Sequence, residues 1–180
     1  MAISQIVTNS VASGQTFTSP VFAGTPTGVG VLTSGTAQAS TSGTSIDFTG
    51  IPSWVKRITV MFNNVSLSGT ADIWVQIGSG SVETTGYSSG AYAYGTSANA
   101  ITGGMVIISQ YAPRKTYGTM VLCHIGSNLW VSSSAYSSDP GGGGSGGGTK
   151  TTSGVLDRVR ITTSNGTDTF DFGSINILYE

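Results

Sequence analysis

Apolar residues in this chain come in short alternating sets, and no stretch repeats them at helical spacing. Val55, Ile58, Val60 and Phe62 mark one strand, with Arg57, Thr59 and Met61 on its other face and Asn63-Asn64 closing it. Ile73, Val75 and Ile77 alternate with Asp72, Trp74 and Gln76 before a turn at 78–80. Tyr117, Thr119, Val121, Cys123 and Ile125 share one face of a further strand, and Met120, Leu122 and His124 share the other. Gly126-Ser127-Asn128 then turns the chain into a strand over 129–133. Shorter sets at Ile46 and Phe48, Met105 to Ile108, and Val159 and Ile161 add strands, and Phe170 to Tyr179 forms a terminal one after the turn Ser164-Asn165-Gly166-Thr167. The pattern predicts an all-β chain folded as an antiparallel β-sandwich of jelly-roll type.

Two regions depart from that pattern. Residues 1–40 carry few apolar side chains, among them Phe17, Val21 and Phe22, set among Ser, Thr, Gly and Pro. Too little can be buried there for independent folding, so 1–40 is expected to be loosely ordered or, as those three residues favour, an extended arm that docks through them, with the sandwich in 41–180. Around Tyr87, Tyr92 and Tyr94, Ser, Gly and Ala predominate, which predicts a surface loop or weak edge strands. The run from Asp139 to Gly148 reads as a flexible loop.

Composition narrows the function. Only 8% of residues are charged, against about 25% in an average domain. The net charge of -1 and seven scattered Lys and Arg argue against nucleic-acid binding. Apolar runs are too short for a membrane helix, and the uncharged start up to Asp47 has no basic leader, so synthesis in the cytoplasm is expected. A single cysteine excludes an internal disulfide. A surface this poor in charge suits a subunit held in a larger assembly.

Two blocks of sequence are more specific. One runs Ser42-Gly43-Thr44-Ser45-Ile46-Asp47-Phe48-Thr49-Gly50-Ile51-Pro52 and continues Trp54-Val55-Lys56-Arg57-Ile58-Thr59-Val60-Met61-Phe62. The other closes the chain as Leu156-Asp157-Arg158-Val159-Arg160-Ile161-Thr162, Asn165-Gly166-Thr167-Asp168-Thr169-Phe170 and Gly173-Ser174-Ile175-Asn176-Ile177-Leu178-Tyr179-Glu180. Over residues 36–180 the chain resembles a β-structured module of tailed-phage virion proteins, found in tail fibres and other surface appendages. The resemblance implies a place on the virion surface and no catalytic residues.

Catalysis has little material. His124 is the only histidine, and its neighbour Cys123 points to the opposite face of a strand, so the two cannot act as base and nucleophile. A buried Cys123 and a surface His124 are expected. The eight carboxylates show no arrangement of the kind glycoside hydrolysis needs, and Asp157 is expected to pair with Arg158 or Arg160. Asp139, Asp168 and Asp171 lack the spacing of a Ca²⁺ loop, so no metal and no cofactor is expected. Exposed aromatic rings can stack on sugars, which makes Tyr87, Tyr92, Tyr94, Trp130 and Tyr136 the candidate ligand contacts. Trp54 and Trp74 are assigned to a core or subunit interface. The expected function is a trimeric tail fibre or receptor-binding appendage that adheres to a host glycan or protein and docks on other virion proteins through its arm. The alternative is a capsid decoration protein or head fibre.

Overall fold

The computed structural model describes residues 32–180 apart from Gln110 and Pro113. The arm candidates Phe17, Val21 and Phe22 lie outside the described residues. Fourteen strands follow one another: β1 (Thr33–Ser34), β2 (Gln38–Ala39), β3 (Ser45–Thr49), β4 (Arg57–Leu67), β5 (Ile73–Ser79), β6 (Ser81–Val82) and β7 (Tyr87–Ala93), then β8 (Thr96–Ile101), β9 (Met105–Ile107), β10 (Lys115–Gly126), β11 (Leu129–Asp139), β12 (Gly143–Thr151), β13 (Arg158–Thr163) and β14 (Phe170–Tyr179). They form two antiparallel sheets packed as a sandwich. The larger runs β1-β14-β4-β10-β11-β12-β7-β8, with β2 also on β14; the smaller runs β3-β13-β5-β6, with β9 also on β5. Strands β1 and β2 already belong to the larger sheet, so pairing begins upstream of the expected boundary at residue 40.

The alternation read from the sequence places the core. Ile58, Val60 and Phe62 of β4, Met120 and Leu122 of β10, and Ile175 and Ile177 of β14 are buried on the inner face of the larger sheet. Ile46, Phe48, Ile73, Val75, Ile77, Val159 and Ile161 are buried in the smaller one. Strand β4 does not end at Asn63-Asn64. Asn64 takes a left-handed φ of 53° and makes a bulge, after which the strand continues to Leu67 with its register shifted against β10 and β14.

The glycine run is the clearest departure. Far from looping out, Gly143–Thr151 is β12, an interior strand paired with β11 on one side and β7 on the other. Its neighbours explain why glycine is needed. A Cβ on Gly144 would lie 2.6 Å from both the Tyr136 ring and the Ala93 methyl, and one on Gly148 would lie 2.9 Å from Ser89 Cβ. With small residues on β7 and β12, β9 approaches both strands to within 8 Å between Cα atoms, closer than the usual sheet spacing of about 10 Å. The N–H groups of Val106 and Ile108 donate to Ser89 Oγ (3.0 Å) and Tyr136 Oη (3.0 Å). The outer edge of β9 is thus closed by hydroxyls instead of by another strand.

Candidate functional site

The registers give the sandwich two ends. Strand β4 starts at one end with Arg57, and its partner β10 finishes there, with Cys123 opposite Arg57. The described chain begins at that end, where Leu32 lines a groove with Arg57, Thr59, Leu178 and Glu180. Strands β10 and β11 meet Tyr94, Ser109, Arg114 and the loop at 139–141 at the other end. Exposed large hydrophobic side chains divide between these ends. Leu32, Trp54, Ile125 and Val155 stand toward the first; Tyr92, Tyr111, Tyr117 and Phe172, all aromatic, stand toward the second.

The aromatic end is organised by Arg114. Tyr94 and Gly95 both have positive φ, 58° and 80°, and form the tight turn between β7 and β8. The Arg114 guanidinium lies 3.6 Å over the Tyr94 ring and 5.6 Å from that of Tyr111. Its Nη1 donates to Ser109 O (3.0 Å) and its Nε to Pro140 O (3.1 Å), which ties three loops together. Ser109 N–H in turn donates to Asp72 Oδ1 (2.9 Å). Nearby, the Lys115 ammonium sits 4.4 Å from the Phe172 ring. Tyr92 is 59% exposed on the outer face of β7, and Tyr111 is 49% exposed.

The five candidate aromatics separate on this geometry. Tyr92 is open to solvent, whereas Tyr94 is half-buried, packed against the core with its hydroxyl enclosed and the Arg114 guanidinium over its ring. Tyr87, Trp130 and Tyr136 are only 3–5% exposed and offer no ring face to a ligand, which corrects their assignment. Each has a structural reason to be inside. Tyr87 Oη accepts from Ile77 N–H (2.8 Å) and donates to Glu83 O (2.8 Å), joining the two sheets. Tyr136 Oη accepts the Ile108 N–H just past β9, and burial pushes its phenol up to about 12; burial raises Tyr87 further. Trp130 faces inward beneath the His124 ring, 5.0 Å away. Trp54 is not in a strand; it is exposed and lies 6.1 Å from Tyr179. Cys123 is half-buried on the outer face instead of enclosed, and His124 is half-buried too.

Arg114 and its stack are the part that reading the sequence missed. No local pattern links Arg114 to Tyr94, because the register of β7, β12, β11 and β10 brings them together. The charges elsewhere are mostly paired. Asp47 meets Arg160, whose hydrogen bond holds its carboxyl below the usual range. Asp157 is held low in the same way by Arg158, with Gly80 N–H adding to it. Lys150 faces inward and pairs with Glu83 at 2.6 Å. Burial alone would raise the Glu83 carboxyl, but Lys150 and Ser153 bonding outweighs this and leaves it lowered. Among the described residues no group of three His, Cys, Asp or Glu could hold a metal ion. No family model matches the chain, and neither the curated proteins nor the solved structures contain a match to it.

Proposed function

We propose that the chain is a structural protein of a tailed-phage virion, a tail fibre or receptor-binding appendage that adheres to the host and performs no catalysis. The division of exposed apolar side chains between two ends carries this reading. The end bearing Tyr92, Tyr111, Tyr117 and Phe172 offers ring faces for stacking on sugar, and a guanidinium fixes the loops behind them. The opposite end, with Leu32, Trp54, Ile125 and Val155, is suited to burial against other copies or other virion proteins. The two strand blocks that resemble phage modules support the same assignment. Contacts this small are weak singly, so a trimer with several copies per particle would gain its hold through avidity.

The test is adsorption. Particles carrying Tyr92→Ala together with Tyr111→Ala should adsorb to host cells at least tenfold more slowly while the domain keeps its unfolding midpoint. Unchanged adsorption would remove this end as the receptor contact. A capsid decoration protein is the second reading, favoured by the low charge and the apolar Leu32 end; labelling the protein on particles separates it from a fibre by position and copy number.

A further inference from the structure

A small cavity of about 50 Å³ lies at the Leu32 end, between the segment before β4, the β10–β11 hairpin and the segment after β12. Its polar lining is Ser53, Lys56, His124 and Asn128, and its apolar walls include Trp130 and Leu156. No carboxylate lines it. Acidic groups elsewhere at this end are already engaged: Glu180 with Arg57 at 3.1 Å, Glu83 with Lys150 at 2.6 Å and Asp157 with Arg158 at 2.7 Å. Lys56 has no carboxylate within 4.0 Å among the described residues. Its ammonium contacts His124 Nδ1 at 3.2 Å instead.

An ammonium can only donate, so His124 Nδ1 accepts and the ring proton of the neutral imidazole sits on Nε2. The lining therefore offers an ammonium, an imidazole N–H, a hydroxyl and an amide, with no competing negative charge. We propose that this cavity binds a small oxyanion, the head group of a carboxylate or a phosphate. Its size admits the charged head and leaves the remainder of the molecule outside. Protonating His124 would set two cations side by side, and a bound anion would relieve that repulsion. Lys56 and His124 are the charged or titratable side chains facing the site; Asn128, Trp130, Val155 and Leu156 from the other elements add none. The proposal does not rest on the sugar contacts, which lie at the opposite end; Val155, which lines the cavity, belongs to the end assigned above to association, so the binding test uses the full chain free of particles.

Because His124 is the only histidine, its imidazole signals can be followed without ambiguity in NMR spectra of the full chain. Sodium acetate and inorganic phosphate are titrated separately, with chloride at matched ionic strength as the control. A saturable shift of the imidazole signals is expected with acetate, phosphate or both. A response to acetate alone assigns carboxylates, and one to phosphate alone assigns tetrahedral anions. Lys56→Met should weaken binding at least fivefold at an unchanged unfolding midpoint, and Lys56→Arg should largely retain it. No saturable shift with either anion, an equal shift with chloride, or wild-type affinity in Lys56→Met would overturn the proposal.

Discussion

Lys150 shows how a single residue is held against its own preference. It occupies an inward position of β12, opposite Trp130 and Tyr87, where an unpaired ammonium would be costly. Glu83 answers the charge at 2.6 Å and also accepts from Ser153 N–H and Oγ, so the carboxylate is satisfied as well. Glu83→Gln leaves the buried cation facing a neutral amide and should cost about 3 kcal/mol or more, seen as a lower urea midpoint at unchanged slope. The pH dependence follows from the same contacts. Since Glu83 is held below its ordinary value, its contribution is present above that value and is lost as pH falls through the folded one. The Gln variant should lack that part of the acid-side loss. Nothing in the sequence singles out Lys150: a lysine after a glycine run reads as solvated, and Glu83 is 67 positions upstream.

At the scale of elements, what could be read from sequence was whatever alternates. Strands β4, β5, β13 and β14 declare themselves through alternating Ile, Val and Phe, and β10 through Met120 and Leu122 facing inward. The buried tyrosines did not, because Tyr87 and Tyr136 stand among Ser, Gly and Ala that look exposed until parity is applied: Tyr87, Ser89, Ala91 and Ala93 form one inward face. Strand β12 was hidden altogether, since nine residues rich in glycine carry no β propensity. Pairing on both sides makes it a strand, and close packing keeps its side chains absent. Gly144→Val should therefore destabilise the domain by about 2 kcal/mol or more, because the added atoms meet Tyr136 and Ala93. Gly142→Ser, where an added Cβ meets nothing within 4 Å, should change stability by less than about 0.5 kcal/mol. Thermal unfolding of the two variants side by side checks the assignment, as a true loop would tolerate both.

For the whole molecule, the distribution of apolar surface matters more than its amount. The outer face of the smaller sheet carries the Asp47–Arg160 pair, with Arg158–Asp157 beside it, as a solvated face should. The outer face of the larger sheet is nearly uncharged over Thr59, Met61, Thr119, Val121, Ser133 and Ala135. Exposed apolar groups of any size lie toward its two ends. If copies associate around the Leu32 end, Ile125→Lys should reduce the sedimenting mass of the full chain from trimer to monomer. Tyr92→Lys, toward the other end, should leave the mass unchanged. Equal behaviour of the two variants would mean that the ends do not differ in role. The sandwich could be foreseen from strand periodicity; the two-ended surface could not, because it depends on registers between strands far apart in sequence.

The glycine strand also sets an order of events during folding. A segment without side-chain preferences has nothing to nucleate with, and its partners β7 and β11 must be in place before its backbone finds donors and acceptors. The β10–β11 hairpin, joined by the Ser127-Asn128 turn with both residues at positive φ, is local and can form early. Strand β7 must be carried in from more than fifty positions upstream, leaving a one-strand gap that β12 then fills. The larger sheet is in this sense a zipper whose last teeth are bare backbone, and the junction of its two halves closes at the end of folding.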